Sequence, residues 1–134
     1  MPDSKALAYA HGLYDGPLLG ETIGANLERT VAAHGSRDAV VSSAQGVRLT
    51  YDELLEAVSR LASGLLARGI AQGDRVGIWA PNCVEWVLVQ YATAQIGAIL
   101  VNVNPAYRTH ELGYALRQSG MRLLITAPTH GSSD

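Results

Sequence analysis

The residues best suited to chemistry stand together in Asn102-Val103-Asn104-Pro105-Ala106-Tyr107-Arg108-Thr109-His110-Glu111-Leu112. This segment follows a β-branched run and precedes a helical pattern, so it reads as a loop between the carboxyl end of a strand and a helix N-terminus. Loops in that position are where open α/β sheets bind ligands. Arg108, beside the helix N-terminus, can pair a phosphate or a carboxylate. The other reading is a crossover loop shaped by Asn104-Pro105 with a solvated Arg108, and spacing alone favours it.

Other reactive side chains are scattered. His11, His34, His110 and His130 each fall in a loop or at a helix end, with no i, i+4 pair and no HExxH pattern, so zinc is not expected. Asp52, Glu53 and Glu56 cluster in the first turns of a helix, where negative charge complements the dipole. Cys83 sits at a helix N-terminus, which can lower a thiol pKa, but without a placed histidine it reads as a small buried residue. As the single cysteine it excludes an internal disulfide framework and any CxxC site, and a reducing, cytoplasmic setting follows most simply. No GxSxG, GxGxxG or GxxxxGK[ST] is present. Of the ten basic residues nine are arginines, and Lys5 is the only lysine. Chemistry that needs a lysine on a phosphate or as a Schiff base has no candidate in the body of the chain.

At 134 residues the chain fits one domain with a real core. Hydrophobic residues at 48% are ordinary and charged residues at 16% are low for a globular chain. A net charge of −2 offers no basic field for nucleic acid or an anionic membrane. Trp86–Tyr107 carries no charge, but Gln90, Gln95, Gly97, Asn102, Asn104 and Pro105 mark it as soluble core rather than a membrane span. Met1–Ala10 lacks the apolar run of a secretory signal.

The elements that must position these residues follow from periodicity. Thr22 opens a helix with Ile23, Leu27 and Val31 on one face, closed by Gly35. Ala39–Ser43 and Val47–Leu49 form a hairpin around Ala44-Gln45-Gly46. Thr50 and Glu53 form a capping box. Leu54, Leu55, Val58, Leu61, Ala62, Leu65 and Leu66 make a helical stripe that stops at Gly69, with Ile70 completing the cap. Arg75–Trp79 is a strand. Asn82 caps a helix from Cys83 to Ile96 that is apolar on nearly every side. Ala98–Val103 reads as a strand buried on both faces. Thr109 caps a helix to Ser119 with Leu112, Ala115 and Leu116 inward; Gly120 ends it, and Leu123–Thr126 is the last strand. Alternating helices and strands imply right-handed crossovers and a parallel sheet. The fold class is α/β, an antiparallel hairpin followed by βαβ crossovers.

In order, Arg48-Leu49-Thr50-Tyr51-Asp52-Glu53-Leu54, Gly73-Asp74-Arg75-Val76-Gly77-Ile78, Pro81-Asn82-Cys83-Val84-Glu85-Trp86, Gly97-Ala98-Ile99, Asn104-Pro105-Ala106-Tyr107-Arg108-Thr109-His110-Glu111-Leu112 and Leu123-Leu124-Ile125-Thr126 resemble the start of the AMP-forming acyl-CoA synthetases of the adenylate-forming superfamily. The Asn-Pro-Ala-Tyr-Arg-x-x-Glu-Leu form looks most like fatty-acid–CoA ligases and the medium-chain branch. The resemblance implies a flexible N-terminal arm over residues 1–21, a partial AMP-binding domain over 22–128 and a polar end over 129–134 where the family continues, so a truncated chain is expected. A full enzyme would use ATP, Mg²⁺ and CoA to activate a fatty acid or other carboxylic acid. The family's phosphate loop and catalytic lysine are expected downstream, so no catalytic residue, and no bound cofactor or metal, is expected in this stretch. Asn104, Tyr107 and Arg108 are the substrate-binding candidates, at channel or loop positions. The other readings are a stand-alone non-catalytic α/β interaction module and a small Rossmann-type nucleotide-binding domain; the missing glycine fingerprint disfavours the latter. With an apolar helix and few strands to cover it, the chain is expected to self-associate, exposing Val87, Leu88, Tyr91 and Ala98–Val103.

Overall fold

The computed structural model describes residue 16 and residues 18–128. The expected polar end over 129–134, and the arm apart from residues 16 and 18–21, lie outside the described residues. No helix among the described residues is long and apolar enough to cross a membrane.

Helix α1 (Ile23–His34) starts where the Thr22 hydroxyl accepts from the Ala25 N–H at 3.1 Å, and it buries Leu27. Strands β1 (Asp38–Ser42) and β2 (Val47–Thr50) pair antiparallel, with an irregularity between Asp38 and Val40. The capping box then opens α2 (Tyr51–Ala67). The Thr50 hydroxyl accepts from the Glu53 N–H at 3.3 Å, and the Glu53 carboxylate accepts from the Thr50 N–H at 2.8 Å. The bonds that the Thr50 N–H and then the Thr50 hydroxyl donate to it hold the Glu53 carboxyl below its ordinary range. At the far end Gly69, at φ +80°, donates to the Leu66 carbonyl while Ile70 donates to that of Leu65, the paired bonds of a Schellman cap. Ile70 folds back into the core at 5% exposure.

The stripe on α2 is narrower than expected. Leu54, Val58, Ala62 and Leu65 are buried, but Leu66 is 54% exposed. One residue further on is a turn of about 100°, enough to carry Leu66 off a face centred on Leu54 and Val58.

Strands β3 (Arg75–Trp79), β4 (Ile99–Asn102) and β5 (Leu123–Thr126) form a parallel sheet in the order β4-β3-β5. Helices α3 (Val84–Gln95) and α4 (Thr109–Ser119) supply the two crossovers. Val76 and Ile78 project from β3 into the apolar clusters shared with α2 and α3. Gly77 points the opposite way, and a Cβ there would overlap the Met121 sulfur.

Two expectations about burial are corrected. The β-branched run at Ala98–Val103 is not a strand buried on both faces: β4 is an edge, Ile99 is exposed, and β3 takes the centre. The reason lies in connectivity, because α3 adds β4 on one side of β3 and α4 returns across to place β5 on the other. Val87, Leu88 and Tyr91 do not form an exposed face either. They pack partly buried against the larger cluster, because α1 and α2 both lie on α3.

Adjacent leucines therefore face opposite fates. Leu65→Ala is expected to lower stability by about 2–5 kcal/mol through lost burial and a cavity, while Leu66→Ala stays within about 0.5 kcal/mol. Urea melts followed by circular dichroism measure both; equal losses would show that the helix is not seated on this face.

Candidate functional site

The chain leaves β3 toward α3, which lies with α1 and α2 on the Val76–Ile78 face of the sheet. It leaves β4 in the opposite sense, and a right-handed crossover over β3 to β5 takes α4 across the other face. Adjacent strands whose outgoing chains diverge to opposite faces leave a crevice at their carboxyl ends, the usual ligand position in open α/β sheets. One rim is Trp79-Ala80-Pro81-Asn82 and the other is Asn102–Arg108.

The second rim is held at every turn. The Val103 N–H donates to the Ile78 carbonyl at 3.0 Å, extending the ladder past the strand, and Val103 is buried. Asn104 then reverses the chain: its side-chain oxygen accepts from the Ala106 N–H at 2.9 Å and its carbonyl from the Tyr107 N–H at 3.0 Å. Pro105 suits the position after Asn104 in such a turn. That carbonyl also accepts the Trp79 indole N–H at 3.1 Å.

Arg108, not Thr109 as expected, is the N-cap of α4, and Thr109 is the first helical residue. The carboxylate three residues on makes the difference, since Glu111 accepts from the Arg108 N–H at 3.1 Å. Bonds from its own N–H and from Arg108 hold the Glu111 carboxyl below its ordinary range. Asn104, Tyr107 and Arg108 thus share one short loop, all three exposed at the crevice.

The first rim leads to the α3 N-terminus, where a second cap departs from expectation. Cys83 is the N-cap, not Asn82, and its own side chain makes no capping bond. The bond comes from the hairpin: Gln45 Oε1 accepts from the Val84 N–H at 2.7 Å, and Gln45 Nε2 donates to Glu85 at 2.9 Å. The bond from Gln45, then that from its own N–H, lowers the Glu85 carboxyl, while burial raises the Cys83 thiol. Trp86 Nε1–H donates to the Ala80 carbonyl at 3.3 Å.

Sequence reasoning missed Gln45 and Trp79. Gln45 lies 39 residues before Val84, and nothing in its neighbourhood marks it as a cap. Trp79 carried a signal: an aromatic with a polar handle at a strand end, just before Pro81-Asn82. Among the described residues no group of three His, Cys, Asp or Glu could hold a metal ion. What the crevice offers is a shaped loop, two indole donors committed to backbone, and a guanidinium at a helix N-terminus.

A family model described as "AMP-binding enzyme" matches residues 27–134. The chain is 46% identical over 119 residues to the mitochondrial medium-chain acyl-CoA ligase of Macaca fascicularis, covering 89% of this chain and 19% of that protein. Its fold matches the N-terminal domain of FACL13 from Mycobacterium tuberculosis at TM-score 0.76 and 33% identity, over 78% of this chain and 26% of that one. The N-terminal subdomain of NpsA from Klebsiella oxytoca matches at TM-score 0.75 and 26% identity, over 82% and 28%. The chain spans about a fifth of the length of the curated relatives it matches.

Gln45→Ala is expected to cost about 1 kcal/mol at neutral pH, since it removes a cap and a side-chain bond together. Because the folded Glu85 carboxyl is lowered, its contribution is complete above the unfolded value and is lost as pH falls through the folded one. The gap between wild type and Gln45→Ala should therefore narrow on acidification, down to the share of the pH-independent cap bond to Val84. Urea midpoints across that range check it; a pH-independent gap would leave Glu85 out of the tie.

Proposed function

The chain belongs to the AMP-binding enzyme family, and on that premise we propose that it is the N-terminal part of an AMP-forming acyl-CoA synthetase. In the proposed reaction a carboxylate attacks the α-phosphorus of ATP, giving an acyl-adenylate and releasing pyrophosphate. The thiol of CoA then attacks the acyl carbon, giving acyl-CoA and releasing AMP. The observation that carries this reading is the agreement of sequence and fold over one stretch: residues 27–134 match the family, and the relatives matched there include a medium-chain acyl-CoA ligase. Fatty acids or other carboxylic acids are the proposed substrates.

These residues are proposed to supply scaffold and the two rims of the crevice. The carboxylates of Glu53, Glu85 and Glu111 bind backbone N–H groups or Gln45, and no described cluster fits a Mg²⁺ ion. Lys5 is the only lysine. Binding of the ATP phosphates and Mg²⁺ is therefore assigned to other parts of a full enzyme, and the 134 residues alone are proposed to be inactive. Asn104, Tyr107 and Arg108 are proposed to face a substrate, with Arg108 pairing its phosphate or carboxylate. A cytoplasmic setting is proposed from the single cysteine; the mitochondrial location is the relative's. Self-association is proposed at the β4 edge, where Ile99 is exposed.

ATP–pyrophosphate exchange tests the assignment. A full-length chain should exchange pyrophosphate into ATP when given a fatty acid, and the isolated 134 residues should not; exchange by the isolated residues would overturn the scaffold reading. In the full-length chain Arg108→Ala should raise the KM of ATP, CoA or the acid by about 3–10-fold with kcat retained. Three unchanged KM values would return Arg108 to an ordinary solvated position.

A further inference from the structure

Trp79 is the last residue of the central strand, half-buried, with its indole directed at the opposite rim. Its N–H reaches the Asn104 carbonyl across a separation of 25 residues. That carbonyl already accepts the turn bond from the Tyr107 N–H, so both of its lone pairs are engaged, one by the loop itself and one by the sheet. Two further bonds of the loop, Ala106 N–H to the Asn104 side chain and Arg108 N–H to Glu111, are internal to it or to α4. Beyond Val103, where the ladder ends, the indole bond ties the rim of β3 to the turn. A phenylalanine keeps an aromatic ring at this position without making it.

We propose that Trp79 is the positioning residue of the 104–108 loop: its indole N–H holds the turn against the carboxyl end of β3 in the arrangement in which Tyr107 and Arg108 meet an anionic group of the substrate. The kinetic part rests on the ligase reading; the structural part does not. The anionic group is a phosphate if it comes from ATP or CoA and a carboxylate if it comes from the acid, and the three KM values separate these sources. Trp79 touches no reacting atom in this account and acts through the loop.

The test compares wild type, Trp79→Phe and Trp86→Phe in the full-length chain. Trp86→Phe is the control, because its lost bond ends on Ala80 rather than on the loop. With Trp79→Phe, amide exchange at Ala106, Tyr107 and Arg108 should quicken about threefold or more while the core of α2 is unchanged. The KM of one anionic substrate should rise about 3–10-fold with kcat within about twofold. Trp86→Phe should leave loop exchange as in wild type. Unchanged loop exchange in Trp79→Phe overturns the proposal. So does faster exchange throughout the fold, which would mean general destabilisation, and so does a loosened loop with all three KM values unchanged. Should the wild-type chain show no ligase activity, the ligase reading fails by itself. Loop exchange, with equilibrium binding of ATP, CoA and a fatty acid to wild type and Trp79→Phe, then decides the role of Trp79: a loosened loop with weaker binding of one ligand supports it, and anything else overturns it.

Discussion

Parallel strands cannot be joined by hairpins, so each neighbour of β3 must be reached by a crossover, and the hand of the crossover fixes where the rest of the chain lies. The first crossover carries α3 across the Val76–Ile78 face, where α1 and α2 already offer an apolar surface. The second runs in the opposite direction and takes the opposite face. Burial of β3, the edge position of β4 and the crevice between the strand ends all follow from those two moves. Gly77 records the same constraint on the far face, where a side chain would have to displace the Met121 thioether.

A second constraint is satisfied differently at each helix. The first amides of an α-helix have no partner within it, and something nearby must accept from them. Thr22 does this with a hydroxyl, and Thr50 with a hydroxyl joined to Glu53. At α3 the cap residue is a cysteine, and the acceptor comes from the turn of a distant hairpin. At α4 a carboxylate inside the helix reaches back to the cap residue's own N–H. The first two schemes join sequence neighbours, whereas Gln45 joins two units of the fold and ties the hairpin to the crossover layer.

What was legible in the sequence was what is local. The capping box and the Gly69 and Gly120 stops rest on contacts within a few residues, and β3 and β5, though they pair with distant strands, are marked locally as short apolar runs between turn residues. The loop carrying Asn104, Tyr107 and Arg108 was legible as a place, because a strand, a proline and a helical pattern follow in order. What escaped depends on partners far along the chain. Leu66 looks like Leu65 until the direction of the core is known, and a β-branched run looks central until the order of crossovers is. Gln45 and Trp79 escaped for the same reason, their bonds spanning 39 and 25 residues.

The shifted groups among the described residues fit the proposed scaffold role. A general acid or base works best with a pKa near the ambient pH, and a thiol nucleophile must ionise. Here the shifts run the other way. Glu53, Glu85 and Glu111 are each lowered by bonds to backbone or amide groups, so at neutral pH they remain ionised acceptors with no proton to give and little affinity for one. Glu21, bonded to Arg29 and Asn26, is held at about 2. Cys83 is raised by burial and keeps its proton. The carboxyl shifts accompany caps, the Gln45 tie and an ion pair, and all of these shifts, that of Cys83 included, weaken the same group as a catalyst. Groups held in this way suit the proposed part of these residues, which is to hold a loop against a substrate while bond-making groups lie elsewhere in a full enzyme.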